Sequence, residues 1–143
     1  MTALSMTAEE REAFLADVHV GVLAVERPGG PPSVTPVWYR YVDGVVEIVT
    51  SGGTRKVELL RAAGHASLCA QVEAPTPAYV TVEGPVSVTS PVPDGVVASI
   101  AARYLGGEEA GAAYAEGPGS HDDTLISLRV QRWRTADFAK IGF

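Results

Sequence analysis

The segment Val45-Val-Glu-Ile-Val-Thr-Ser-Gly-Gly-Thr-Arg-Lys-Val-Glu-Leu59 joins a predicted strand to a predicted helix through two adjacent glycines. The β-branched residues from Val45 to Thr50 favour a strand. The residues from Arg55 to Ala63 have helical character, and Gly64 suits the C′ position of that helix. Asp43-Gly44, just upstream, is a strong two-residue hairpin signal. The segment therefore predicts an antiparallel hairpin that runs directly into a short helix.

The flanking sequence repeats this alternation of short valine-rich runs and turn residues. Thr7 and Glu10 form a capping box for the first helix, and Gly84-Pro85 suits a bend or bulge within a strand. We predict strands at Val20–Val25, Val34–Tyr41, Val45–Thr50, Ala66–Glu73, Tyr79–Val88 and Thr124–Trp133, and helices at Ala8–Asp17, Arg55–Ala63, after a cap at Asp94, and at Glu108–Ala115. The strands are too closely spaced for βαβ units. The sequence thus predicts a mainly β (α+β) fold, an antiparallel barrel of about six strands with a few peripheral helices.

Length and composition favour a single domain over residues 1–143. Hydrophobic residues make up 46% of the 143 residues, and the net charge is −6. A negative balance disfavours nucleic acid and anionic membranes as partners, because both need a basic surface. One cysteine, no secretion signal and no long apolar stretch predict a cytoplasmic location.

The strand-to-helix junction carries the strongest chemical signal. Thr50 and Ser51 end the strand with hydroxyls, and Arg55 and Lys56 lie in the first turn of the helix, where cations oppose the helix dipole. A bound anion would reverse that penalty, since helix N–H groups and both cations would converge on it. The residues alone leave two interpretations open, a phosphate site or a solvated surface pair.

A second feature is the aromatic strand that contains Pro36, Val37 and Trp38. A proline in mid-strand cannot donate a ladder hydrogen bond, so it marks an edge or an opening of the sheet. An opening beside a phosphate site could accept a flat ring, whereas ordinary aromatic core packing is the alternative.

Together these segments resemble the pyridoxamine-phosphate-oxidase-like flavin-binding proteins, which have a split β-barrel fold. The resemblance runs from Val20 to about Trp133, and Thr50 to Leu59 is its best motif. It implies that Arg55 and Lys56 hold a cofactor phosphate, that Thr50 and Ser51 contact the phosphate and ribityl chain, and that Pro36, Val37 and Trp38 lie along the ring. It further implies a homodimer, with Tyr79 supplied by the second subunit and Trp133 near the cofactor; for Trp133 a core role is equally open.

The resemblance implies FMN as the cofactor, with coenzyme F-420 as the alternative and haem as a weaker one. The C-terminal segment lacks the arginine-bearing end of true pyridoxamine phosphate oxidases, so a vitamin B6 substrate is not expected. We predict an oxidoreductase acting on a small organic substrate, with a non-catalytic flavin- or haem-binding protein as the alternative. The cofactor carries the reacting atoms, so no catalytic side chain is assigned. No metal site is predicted; His121 is a weak ligand candidate, and Cys69 is expected to be inert.

Overall fold

The computed structural model describes residues 2–117 and 123–143, and within them the chain forms a curled antiparallel sheet with four α-helices. The strands are β1 Gly21–Val25, β2 Ser33–Val37, β3 Arg40–Val42, β4 Val45–Ser51, β5 His65–Val72, β6 Ala78–Thr89, β7 Asp123–Arg129 and β8 Arg132–Asp137. The helices are α1 Ala8–Ala16, α2 Arg55–Ala63, α3 Val96–Leu105 and α4 Glu108–Ala115, and a 3-10 helix spans Phe138–Ile141.

The strand order is β2-β1-β5-β6-β7-β4-β3, with β8 paired to β6. The long strand β6 belongs to both halves of the sheet, because residues 78–83 pair with β8 while residues 86–89 pair with β7. The sheet therefore curls into a half-barrel around the main hydrophobic core, which confirms the predicted mainly β, antiparallel barrel class.

Gly84 marks the point where β6 passes from one half to the other. A Cβ on Gly84 would overlap the carbonyl oxygen of Arg129, and the N–H of Gln131 donates to the carbonyl oxygen of Glu83 at 2.9 Å. The turn between β7 and β8 thus crosses β6 at van der Waals contact, and only glycine leaves room for it. The bend predicted at this glycine is confirmed.

The aromatic strand predicted at Val34–Tyr41 is in fact two strands, separated by Trp38 and Tyr39, which we call the seam. The β2 ladder ends at Val37 and the β3 ladder begins at Arg40, so the seam carries the chain between the two ends of the strand order. Tyr39 is fully buried, and its hydroxyl donates to the carbonyl oxygen of Leu15 at 2.7 Å. This anchoring draws the chain out of one sheet half and into the other.

Two further expectations are corrected. The predicted last strand, Thr124–Trp133, is β7 and β8, because the N–H groups of Val130 and Gln131 bond to Gly44 and Glu83 in the turn between them. Asp94 does not cap α3: Gly95 is the N-cap with φ 85°, and no side chain bonds to the helix end. Asp94 lies one residue too early for that role.

Helix α2 has the predicted bounds, and its ends show why. The Thr54 hydroxyl accepts a hydrogen bond from the N–H of Val57, and Gly64 adopts φ 74° at the C-terminal end. Val57, Leu59 and Leu60 are buried against the barrel. Burial of this face fixes the direction in which the first turn, with Arg55 and Lys56, presents its charges.

Candidate functional site

Lys56 lies at the mouth of a cavity of about 300 Å³, which we call the Lys56 cavity. The cavity is formed where α2, the end of β2, the seam and α4 meet. Its lining residues are Val20, Pro36, Val37, Trp38, Val49, Lys56 and Tyr114. The phosphate candidate Lys56 and the three ring-contact candidates Pro36, Val37 and Trp38 are therefore brought together in space.

The Lys56 ammonium is a half-buried cation. Burial lowers the pKa of Lys56. Among residues 2–117 and 123–143 its side chain has no hydrogen-bond or ion-pair partner. Removing a charge from water without a partner is unfavourable, so the site as built favours an anion beside Lys56.

Arg55 points away from the Lys56 cavity. Its guanidinium forms an ion pair with Glu58 at 3.1 Å, and both side chains are about two-thirds exposed. Such exposed pairs contribute little to stability, which leaves Arg55 free to exchange this partner for a stronger anion. Arg55 therefore forms the kind of solvated surface pair that was the alternative to a phosphate site. Lys56, in contrast, is a partly desolvated cation.

A second cavity of about 200 Å³, the α3 cavity, adjoins the first and shares Trp38, Val49 and Tyr114 with it. Its other lining residues are Thr50, Ser51, Val97, Ile100, Ala101 and Asp123. Thr50 and Ser51 thus face this second space rather than the one that Lys56 lines. Trp38 lines both cavities.

Tyr79 and Trp133 lie elsewhere on the same chain. They line a third cavity of about 530 Å³, together with Arg11 and Arg134. The Arg11 guanidinium lies over the Trp133 ring at 4.7 Å, and Tyr41 meets that ring edge-on at 6.0 Å. Trp133 is accordingly packed against the core, and neither Tyr79 nor Trp133 reaches the Lys56 cavity within one chain.

Two tyrosines of the site were not assigned to it from the sequence. Tyr104 of α3 stacks on Trp38 with ring centroids 4.8 Å apart and planes 4° apart, and Tyr114 of α4 lies 5.7 Å from Trp38. Burial raises the pKa of the Tyr104 hydroxyl. In the sequence Tyr104 belongs to an apolar helical stripe, and no local signal distinguishes such a residue from ordinary core.

His19 and His65 do not line these cavities. His19 Nε2 lies 2.8 Å from the carbonyl oxygen of Phe14, and His65 Nε2 lies 3.8 Å from Glu26 at the surface. His121 falls outside the described residues. Within those residues there is no group of three His, Cys, Asp or Glu side chains that could hold a metal ion. No helix in the described parts of the chain is long and apolar enough to cross a membrane.

The family follows from a sequence match along most of the chain. The sequence model of the pyridoxamine 5'-phosphate oxidase family matches residues 7–137. The chain belongs to this family. No protein with a curated description matches its sequence.

Solved structures share the fold at low sequence identity. A conserved hypothetical protein from Mycobacterium tuberculosis is 23% identical, with a TM-score of 0.84 over 100% of this chain and 92% of that one. An F-420 reductase is 20% identical, with a TM-score of 0.65 over 86% and 94%. An FAD-binding protein from Mesorhizobium loti is 19% identical, with a TM-score of 0.67 over 92% and 95%. A haem-binding protein from Mycobacterium smegmatis is 25% identical, with a TM-score of 0.65 over 93% and 55%. These likenesses establish the fold.

Proposed function

We propose that this protein binds FMN and acts as an oxidoreductase that moves hydride or electrons between the flavin and a small organic substrate. The observation that carries the proposal is the half-buried Lys56 ammonium, which has no counter-ion in the described parts of the chain and lines a cavity with an apolar aromatic wall. A cation of this kind calls for an anionic group, and the wall suits a flat ring.

Different residues of the cavity bind different parts of the cofactor. Lys56 holds the cofactor phosphate, and Arg55 joins it after leaving Glu58. The backbone of Pro36 and Val37 and the indole of Trp38 fix the plane of the ring. When bound, the flavin ring supplies the hydride or electron chemistry, while the chain orients it and excludes water.

Coenzyme F-420 is the second candidate cofactor. Its phosphate-bearing tail would satisfy Lys56 equally well, and a structural neighbour is named as an F-420 reductase. Haem finds less support, although one neighbour is a haem-binding protein. His19 and His65 are engaged elsewhere and line neither the Lys56 cavity nor the α3 cavity.

A homodimer is part of the proposal, supported by a row of four uncharged residues on the outer side of β2, β1, β5 and β6. Pro36, Val22, Cys69 and Thr81 form one cross-strand row, from β2 through β1 and β5 to β6. They alternate with buried residues and so face outwards, and each remains at least partly exposed. A second copy on this face would allow Tyr79 of one subunit to approach the cofactor of the other. The cytoplasmic location stays a prediction from the sequence.

The first experiment is spectrophotometric titration of the protein with FMN and, separately, with F-420. Lys56→Gln should weaken binding of the preferred cofactor tenfold to about a hundredfold, since a hydrogen bond to a charged group contributes about 1.5–3 kcal/mol. Arg61→Gln removes one exposed positive charge from the last turn of the same helix and should bind like wild type. Equal affinities for all three proteins would overturn the phosphate assignment.

Catalysis is tested separately from binding. The cofactor-loaded protein should oxidise a reduced nicotinamide in the presence of an electron acceptor, or use reduced F-420 to reduce one. Tight binding without turnover under either condition would identify the non-catalytic binding protein instead.

A further inference from the structure

The hydroxyl of Tyr104 is held against the seam by backbone hydrogen bonds. Its oxygen accepts from the N–H of Tyr39 at 3.0 Å and donates to the carbonyl oxygen of His19 at 2.6 Å. The carbonyl oxygen of Tyr39 lies 3.2 Å away as a second, longer acceptor. A single side chain from α3 thus contacts the seam and His19, which lies in the connection between α1 and β1.

The seam needs a partner of this kind. Trp38 and Tyr39 fall between the β2 and β3 ladders, so the Tyr39 N–H has no strand partner in either ladder. A buried backbone N–H without an acceptor is unfavourable, and Tyr104 supplies the acceptor. The hydroxyl therefore determines where the backbone of the seam lies.

The neighbouring residue ties α3 to α1. Arg103 Nη2 donates to the carbonyl oxygens of Ala16 and Asp17, each at 3.0 Å, at the C-terminal end of α1. A cation at this end of a helix also interacts favourably with the helix dipole. Two adjacent side chains of α3 thus fix its position relative to the barrel.

The ring of Tyr104 holds the side chain of Trp38 by stacking, just as its hydroxyl holds the backbone of Tyr39 by hydrogen bonding. The two rings are nearly parallel at 4.8 Å, and Trp38 lines both the Lys56 cavity and the α3 cavity. Tyr104 itself lines neither cavity. Its influence on a bound molecule must therefore pass through Trp38.

We propose that Tyr104 is a positioning residue: its hydroxyl fixes the seam and its ring fixes the indole of Trp38, so that the wall of the cofactor cavity is formed before the cofactor binds. The inference rests on the proposed function for its effect on binding. Its structural part concerns the free protein and can be tested without a cofactor. Preorganisation of this kind raises the affinity for the cofactor, because the conformation of the wall that binds it is already populated in the free protein.

The structural part is tested in Tyr104→Phe, which keeps the ring and removes the hydroxyl. The Tyr39 amide should exchange its hydrogen about tenfold faster or more in this variant, because its acceptor is gone. In a Trp133→Phe background, which leaves Trp38 as the single tryptophan, acrylamide should quench Trp38 fluorescence more strongly after Tyr104→Phe. Unchanged exchange and quenching would overturn the proposal, whether or not any cofactor binds.

The binding part compares Tyr104→Phe with Tyr41→Phe. Tyr41 is also a partly buried tyrosine, but its neighbours are Glu12 and Trp133, and it lines neither cavity. Both changes should lower the melting temperature, whereas only Tyr104→Phe should weaken FMN or F-420 binding, by about tenfold. Equal affinities for the two variants would reduce Tyr104 to a purely structural role and overturn the proposal. If wild type binds neither cofactor, the proposed function fails, and exchange and quenching alone decide whether Tyr104 positions Trp38.

Discussion

Lys56 and Trp38 line one cavity, although Lys56 belongs to the first turn of α2 and Trp38 to the seam between β2 and β3. The pairing places a partly desolvated cation beside an aromatic wall. Since burial lowers the pKa of Lys56, its charge, and with it the affinity for a phosphate, must depend on pH.

We expect cofactor affinity to fall as the pH rises through the lowered pKa of Lys56. A bound phosphate favours the ammonium form, so the complex takes up a proton wherever the free protein has lost it, and affinity decreases with rising pH. Below that pKa the group is already charged and contributes no pH dependence. Titrations with FMN across the alkaline range, at constant ionic strength, measure the effect.

Lys56→Arg is the matched control for this prediction. A guanidinium stays charged throughout the range, so the variant should retain affinity at the alkaline end. Titration of the cofactor itself affects both proteins equally and cancels in the comparison. Parallel pH profiles for wild type and Lys56→Arg would contradict the assignment of the anion to Lys56.

Gly84→Ala should destabilise the fold strongly. The added Cβ would overlap the carbonyl oxygen of Arg129, a backbone atom that cannot move without disturbing the turn between β7 and β8. Overpacking typically lowers the free energy of unfolding by about 1–3 kcal/mol. Because the neighbouring atom belongs to the backbone, we expect a decrease at the upper end of this range, about 3 kcal/mol. Urea unfolding of the two proteins gives the difference.

Gly53→Ala provides the comparison for Gly84→Ala. A Cβ on Gly53 would meet no atom within 4 Å, and its backbone does not have the positive φ that disfavours other residues. Its free energy of unfolding should stay within about 0.5 kcal/mol of wild type. A similar decrease in the free energy of unfolding of both variants would show that the close approach of Gly84 and Arg129 does not cause the destabilisation.

Glu10 should stabilise the protein at neutral pH and lose that effect in acid. Hydrogen bonds from the Lys140 ammonium at 2.8 Å and the Thr7 N–H at 2.7 Å lower the pKa of Glu10 to about 2. A carboxyl with a lowered pKa in the folded state contributes stability above its unfolded pKa of about 4.3, and that contribution disappears as the pH falls towards the folded value.

The measurement is the difference in melting temperature between wild type and Glu10→Gln from pH 7 down to pH 2. The difference should be largest near neutrality and should close at the acid end. Glu9→Gln removes a carboxylate from the same turn of α1 without touching the Lys140 contact, and should show a smaller difference. A pH-independent difference for Glu10→Gln would refute the role of this carboxylate.

Val34→Glu should dissociate the proposed homodimer. Val34 is 61% exposed on β2 and lies two residues from Pro36 on the same side of the strand, so the change places a charge beside the uncharged row. Sedimentation velocity at micromolar concentration should show a dimer for wild type and a monomer for this variant. A charge buried at such an interface without a partner opposes association.

Val42→Glu is the corresponding control, because Val42 is 45% exposed on β3, at the other end of the strand order. It should sediment like wild type. A monomeric wild-type protein that still binds cofactor tightly would rule out a site shared between subunits.

The elements with local signals could be predicted from the sequence alone. The Asp43-Gly44 hairpin forms with φ of 51° and 79°, the Thr7–Glu10 capping box closes α1, and Gly64 ends α2, because each depends on the backbone preferences of a few adjacent residues. The same local pattern placed Lys56 at a helix start beside a strand end, and the family resemblance supplied the expected cofactor class.

How these elements meet depends on tertiary packing. The break at Trp38 and Tyr39 depends on Leu15 and Tyr104, which are distant in the chain, so no local pattern could reveal it. Tertiary packing likewise separated Arg55 from Lys56, directed Thr50 and Ser51 into the α3 cavity, and placed Tyr79 and Trp133 in a third cavity. The physical reason is that backbone preference acts over a few residues, whereas burial and hydrogen-bond satisfaction act between segments that only folding brings together.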